Sequence, residues 1–301
     1  MTKNNAIELI NLTKKYRNQL FADSVCSIEN LNLGFSSNKI TGFLGHNGAG
    51  KTTTIRTLLG LTKKTSGNVL IFGKAINRQN IRKIGYLAER NKFPQNLSPM
   101  EIMHFHNRLL GADKEKADIE ARLKELGLWT HRKKRIRQLS KGLSQRLAWG
   151  IATLHNPEII ILDEPFSGLD PLGRSQVKLW LLQQKSKGKT VILCTHEIEQ
   201  ADAICDEIVI LKKGKVVLDT AKKPRRTFWE LGVESIDKSI DKSIFSTAHQ
   251  LESNENITKA SFISHQDAER ALHRLFEKKA HINFFRETQE NINHYFGQED
   301  A

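Results

Sequence analysis

The chain has 301 residues, room for about two domains at roughly 150 residues each. Its 39% hydrophobic and 27% charged residues, with only 6 prolines, exclude a disordered chain, a collagen-like repeat and a disulfide-stapled miniprotein. Lys and Arg number 47 against 33 Asp and Glu, leaving +14, a balance that favours anionic partners: nucleotides, nucleic acid or an anionic membrane surface.

Over the first 40 residues short apolar runs alternate with polar clusters, which predicts an antiparallel β region. MTKNNAIELINL contains no continuous apolar stretch, so no secretory leader is expected. No run approaches the roughly 18 apolar residues that cross a bilayer. Lys39 to Leu44 reads as a strand entering a glycine-rich turn, followed by Ile55, Leu58 and Leu59 at helical spacing until Gly60. From Leu97 to His155 the pattern is mostly helical. Ser98 is placed to cap a helix with Pro99 at its first position and Glu101 at its third, and ADIEARLKELGLW repeats apolar residues until Gly127.

EIIILD and KTVILCTH read as buried parallel strands, separated by a helix over LGRSQVKLWLLQQKSKG. KKPRR then reads as a hinge. The tail reads as strand (ASFI), helix (Ser264 to Ala280), strand (HINFF) and helix (TQENINHYF). Ser264 and Asp267 form a capping pattern there, with Ala268, Leu272, Leu275 and Phe276 on one face. Two domains are expected, 1–221 and a small α/β accessory domain at 222–301, with a helical subdomain at about 97–155. Cys26, Cys194 and Cys205 form no CxxC pair and read as reduced thiols.

GHNGAGKT, Gly45 to Thr52, fits G-x-x-x-x-G-K-[ST] between a strand and a helix. In such a loop glycines let backbone N–H groups converge on phosphate oxygens, and the helix N-terminus adds positive potential. Lys51 can reach the β- and γ-phosphates, and Thr52 can offer its hydroxyl to Mg²⁺. Glu158 to Glu164 ends an apolar strand on two carboxylates, at the edge where parallel sheets bind ligands. Asp163 can hold hydrated Mg²⁺, and Glu164 can polarise a water for attack on the γ-phosphate. Taken alone the pair is also what an acidic strand end before Pro165 would look like. His196 closes the next strand, where a lone histidine is more often structural than functional.

Together these residues resemble the ATP-binding cassette (ABC) ATPases. LSKGLSQR, Leu139 to Arg146, is similar to their LSGGQ-type signature, Ser167 to Asp170 to their D-loop, and Cys194-Thr195-His196 to their switch histidine. Tyr16 matches the aromatic that stacks on adenine. The resemblance spans roughly Ile7 to Thr220 with the motifs in family order. It departs at Glu89, where the family usually has a glutamine, and at Lys141 and Leu143, where Gly and Gln are common; Ser140 and Gly142 are retained.

The resemblance implies a P-loop NTPase (RecA-like) α/β core with an antiparallel β subdomain and a helical subdomain. It implies ATP and Mg²⁺ as ligands, contacted by His46, Asn47, Gly48, Ala49, Gly50 and Thr53 besides Gly45, Lys51 and Thr52. It also implies Mg²⁺ contacts from Thr52, Asp163 and Glu89, hydrolysis by Glu164 with His196, and a head-to-tail dimer. In that dimer Ser140, Lys141, Gly142, Leu143 and Asp170 of one copy face the nucleotide of the other. The expected role is the ATP-hydrolysing subunit of an exporter. It would be peripheral on the cytoplasmic face, docked through Glu89 to Leu110 on separate transmembrane permease subunits. The basic run HRKKRIR, His131 to Arg137, lacks aromatic interleaving and any nucleic-acid module, so nucleic acid is not the expected partner. The competing class is a soluble ABC ATPase acting on ribosomes or nucleic acid.

Overall fold

The computed structural model describes residues 4–17, 24–89, 92–112, 114–221, 225, 227–234, 242–254, 257–290, 292 and 294–297. They fall into two compact units, Met1–Lys222 and Lys223–Ala301. Of the KKPRR stretch, all but Arg225 lies outside the described residues.

In the first unit β1 (Asn5–Arg17) and β2 (Ser24–Ser36) form a long antiparallel pair, followed by β3 (Ile40–Leu44), α1 (Lys51–Leu58), β4 (Ser66–Ile71), β5 (Lys74–Ala75), α2 (Arg78–Ile81) and β6 (Ile84–Leu87). Helices α3 (Pro99–Leu110), α4 (Lys116–Glu125) and α5 (Lys141–Ala152) make a helical region. Then come β7 (Ile159–Asp163), α6 (Pro171–Ser186), β8 (Thr190–Thr195), α7 (Ile198–Asp202), β9 (Glu207–Lys212) and β10 (Lys215–Asp219). One sheet runs β2-β1-β4-β5, antiparallel throughout. The other runs β10-β9-β3-β8-β7-β6 and is parallel except for β10. Strands β3, β7 and β8 are buried at every position, as the continuous apolar runs require when both faces are covered.

Threonine-rich α1 survives poor propensity in two ways. Thr54 and Thr57 bond back to the carbonyls of Gly50 (2.9 Å) and Thr53 (2.8 Å), while Ile55 and Leu58 are fully buried. Helix α3 starts as its sequence predicts: the Glu101 carboxylate accepts the Ser98 N–H (2.8 Å) and hydroxyl (2.7 Å). Those bonds hold the Glu101 carboxyl below its usual range. Between β9 and β10, Lys213 and Gly214 both have positive φ (47° and 77°), a tight hairpin turn that the sequence reading passed over. All three cysteines are free thiols: Cys26 exposed, Cys194 buried in β8, Cys205 mostly covered beside Gly42.

The second unit holds β11 (Thr227–Glu234), β12 (Gln250–Ser253), β13 (Ile257–Phe262), α8 (His265–Glu277), β14 (Ile282–Gln289) and α9 (His294–Gly297). Its sheet, ordered β12-β13-β11-β14, is wholly antiparallel. With the short turn of helix at Lys242–Phe245 counted, this is a ferredoxin-like arrangement. Here the tail departs from its reading. The residue pattern does not mark strands β11 and β12, β14 runs on to Gln289, and among the described residues of TQENINHYF only those from His294 on are helical, in α9. Ser264 sits at the N-cap of α8 without a side-chain cap bond. The buried stripe is Ala268, Ala271 and Leu275, at i, i+3 and i+7, which turns Phe276 outward to 61% exposure.

Candidate functional site

Pairing of β3 with β8 and of β8 with β7 sets Leu44 beside Thr195 and Asp163 beside Cys194, so all three strands end at one edge. From that edge the chain turns from Leu44 into α1. At Gly45 a Cβ would stand 2.4 Å from the Leu211 carbonyl, and at Gly50 (φ 107°) it would stand 2.8 Å from the Ser27 carbonyl. Only glycine lets this loop pass so close to β9 and β2. Lys51 is buried and folds back, its Nζ donating to the carbonyls of Gly45 (2.5 Å) and His46 (3.3 Å). The loop opens on a cavity of about 240 Å³ lined by His46, Asn47, Gly48, Gly50, Lys51, Thr52 and Thr53, together with Ser27, Glu89, Glu164, Ser167 and His196.

Asp163 ends β7, buried, with its Oδ2 3.5 Å from the Thr52 hydroxyl. Burial, then the charges of Glu164 and Glu89, push its carboxyl above the usual range, against the pull of Lys51 and Thr52. Glu164 has a left-handed backbone (φ 49°), costing a non-glycine residue about 1 kcal/mol. Its side chain is 11% exposed, with Oε1 3.0 Å from His196 Nδ1 and 3.8 Å from Lys51 Nζ.

A second cavity, about 400 Å³, is lined by Ser140, Lys141, Gly142 and Leu143 with Gly168, Leu169 and Asp170 among others; it shares no lining residue with the first. Ser140 caps α5, its Oγ accepting the Leu143 N–H at 3.3 Å. Lys141 reaches across to Gly168, where its ammonium fills the space a Cβ would need. Asp170 caps α6 through the Gly173 N–H (2.8 Å). Tyr16 lies apart from both cavities on β1, 40% exposed, with Lys14 Nζ 4.5 Å above its ring.

Residues 28–167 match the family model described as ABC transporter. The bacitracin transport ATP-binding protein BcrA of Bacillus licheniformis is 35% identical over 242 residues, 78% of this chain and 77% of that protein. The lantibiotic transport ATP-binding protein SrtF of Streptococcus pyogenes is 32% identical over 213 residues, 71% of this chain and 90% of that protein. The chain belongs to the ABC transporter ATP-binding family. Among solved structures, a dimeric ATP-binding cassette in a post-hydrolysis state bound to ADP and Pi superposes with a TM-score of 0.64 at 25% identity, covering 71% of this chain and 97% of that one. The protein is thus an ABC ATPase, an ATP-binding and ATP-hydrolysing transporter subunit.

In this ABC ATPase the first cavity gathers a phosphate-sized cradle, a buried lysine and two carboxylates. Hydroxyl and carboxylate oxygens from Thr52 and Asp163 suit Mg²⁺, which takes few protein ligands and completes its shell with phosphates and water. No group of three or more His, Cys, Asp or Glu forms a metal cage among the described residues. Two residues escaped the sequence reading. The Tyr86 hydroxyl bonds Asp163, and burial with that charge pushes its phenol above the ordinary range. The Thr195 hydroxyl bonds Glu164. Strand alternation in IGYL could have placed Tyr86 at the β6–β7 pair; Thr195 reads only as a member of the Cys194-Thr195-His196 motif, and nothing local assigns its hydroxyl a partner.

Proposed function

We propose that this ABC ATPase drives export through separate transmembrane subunits, working from the cytoplasmic face as a head-to-tail dimer. The observation that carries this reading is the separation of the two cavities. One holds Lys51, Glu164 and His196, and the other presents Ser140 and Gly142 at a helix N-terminus and shares no lining residue with the first. A second copy completes both: each ATP lies between Gly45–Thr53 of one subunit and Ser140–Leu143 of its partner. Tyr16 serves the adenine, and Asp170 shapes the facing turn.

On ATP entry Lys51 exchanges its loop carbonyls for the β- and γ-phosphates. Thr52 and Asp163, with Glu89 beside them, would hold Mg²⁺, which neutralises charge gathering on the phosphates. Glu164 takes the proton from a water as its oxygen bonds to the γ-phosphorus and the bond to the ADP oxygen breaks. His196, tied to Glu164, holds the γ-phosphate side. Docking on the membrane partner falls to Glu89 to Leu110, where α3 leaves Phe105 (56%) and Leu109 (67%) exposed. No helix among the described residues is long and apolar enough to cross a membrane, which supports a separate partner. The export direction draws on the bacitracin and lantibiotic transport relatives. Unit 223–301 is read as an accessory domain.

The test is purification from native membranes in mild detergent with Glu164→Gln beside wild type. Expected are a polytopic membrane protein at matched stoichiometry and, in the variant, an ATP-bound dimer without turnover. Ribosomal proteins or nucleic acid in place of the polytopic partner would overturn the transporter reading.

A further inference from the structure

Thr195 is the last residue of β8 and wholly buried. Its Oγ1 donates to Glu164 Oε2 at 3.0 Å and accepts the Glu197 N–H at 3.0 Å. The residue before it, Cys194, accepts the Glu164 N–H on its carbonyl at 2.8 Å. Two consecutive residues of one strand therefore grip Glu164 at its backbone and at its carboxylate. That grip matters because Glu164 stands at φ 49°, a conformation non-glycine residues hold only where surroundings impose it. With Oε2 engaged, Oε1 is the oxygen turned toward Lys51 and His196.

The hold extends outward. Glu197 Oε2 pairs with Arg174 Nη1 at 2.7 Å, and Arg174 Nε donates to the Leu169 carbonyl at 3.3 Å. Leu169 belongs to the turn lining the second cavity. A continuous polar path thus runs from that turn through Arg174, Glu197 and Thr195 to Glu164, within one copy of the chain.

We propose that Thr195 is a positioning residue for hydrolysis, holding Glu164 so that Oε1 meets the attacking water, and that the Arg174–Glu197 pair anchors it to the turn at Gly168–Asp170. The inference rests on the reading of Glu164 as the base. A threonine that only filled space would be replaced without loss by valine, which has the same shape and no hydroxyl.

The experiment is steady-state ATP hydrolysis by the full chain, with KM and kcat separated. Thr195→Val is expected to lower kcat by about 10- to 100-fold with KM for ATP within about twofold, and Thr195→Ser to retain kcat within about threefold. A Thr195→Val variant with wild-type kcat, one that loses rate only through KM, or equal losses in the valine and serine variants would overturn the positioning role. Arg174→Gln is expected to lose kcat several-fold at constant KM, and full kcat there would overturn the anchoring. Glu164→Gln separates the two claims. If it is inactive while Thr195→Val is active, the positioning role alone falls; if it retains turnover, the base assignment falls and the positioning role with it.

Discussion

Two glycines of the phosphate loop should respond unequally to the same added methyl group. Gly48 (φ 81°) and Gly50 (φ 107°) both have left-handed backbones, yet a Cβ on Gly48 meets nothing within 4 Å, whereas on Gly50 it meets the Ser27 carbonyl at 2.8 Å and Leu211 Cδ2 at 3.2 Å. Each alanine carries a left-handed cost of about 1–2 kcal/mol, and Gly50→Ala adds overpacking of about 1–3 kcal/mol. The ligand-free variant loops are expected to relax away from that strain, so that ATP must restore the cradle. Each cost therefore appears as lost affinity, at about tenfold per 1.4 kcal/mol. Gly48→Ala should bind ATP about 5- to 30-fold more weakly, and Gly50→Ala about 30- to several thousand-fold. Isothermal titration of the full chain measures both, with nucleotide-free melting curves showing that the fold persists. Equal affinities for the two variants would refute the reasoning, because the Ser27 contact would then carry no weight.

Asp163→Asn should stop hydrolysis and raise the melting temperature of the nucleotide-free protein near neutral pH. Burial and the neighbouring carboxylates raise the Asp163 pKa on folding, so its ionisation penalises the fold above that raised value. The difference between variant and wild type should shrink as pH falls toward the unfolded aspartate value of about 3.9; a pH-independent difference would contradict it. Ser98→Ala removes the reciprocal cap of α3 and should cost about 1 kcal/mol, measured by denaturant titration; no loss would mean Glu101 caps alone. Leu275→Ala, at a fully buried site under the β11–β13 sheet, should cost about 2–5 kcal/mol and give an early calorimetric transition. An unchanged thermogram would contradict the packing of α8.

What could be read in advance depended on how locally each feature is determined. GHNGAGKT was legible because a phosphate cradle needs glycines, a lysine and a hydroxyl at fixed offsets along one segment. Ser98 and Glu101 were legible for the same reason, since a helix cap is a matter of three residues. Thr195 and Tyr86 were not, because their hydroxyls gain meaning only from Glu164 and Asp163 on a neighbouring strand. The tail resisted for a different reason: β11 lacks the continuous apolar run of β7 and is buried by partners far along the chain, β13 and β14, while β12 is an exposed edge strand with no apolar alternation to mark it. Phe276 shows the limit of periodicity, for a single 100° step separates it from the stripe holding Leu275.

The distribution of thiols has a practical use. Burial drives the Cys194 and Cys205 thiols well above the ordinary range, leaving them neutral and poorly nucleophilic at neutral pH. Cys26 is exposed, and its neighbour Ser27 lines the cavity at Gly45–Thr53 and donates to the Thr53 hydroxyl at 3.0 Å. A maleimide fluorophore should therefore find a single address on the unaltered chain, beside the loop proposed to receive ATP. Stopped-flow fluorescence on the wild-type sequence could then time nucleotide entry and departure directly.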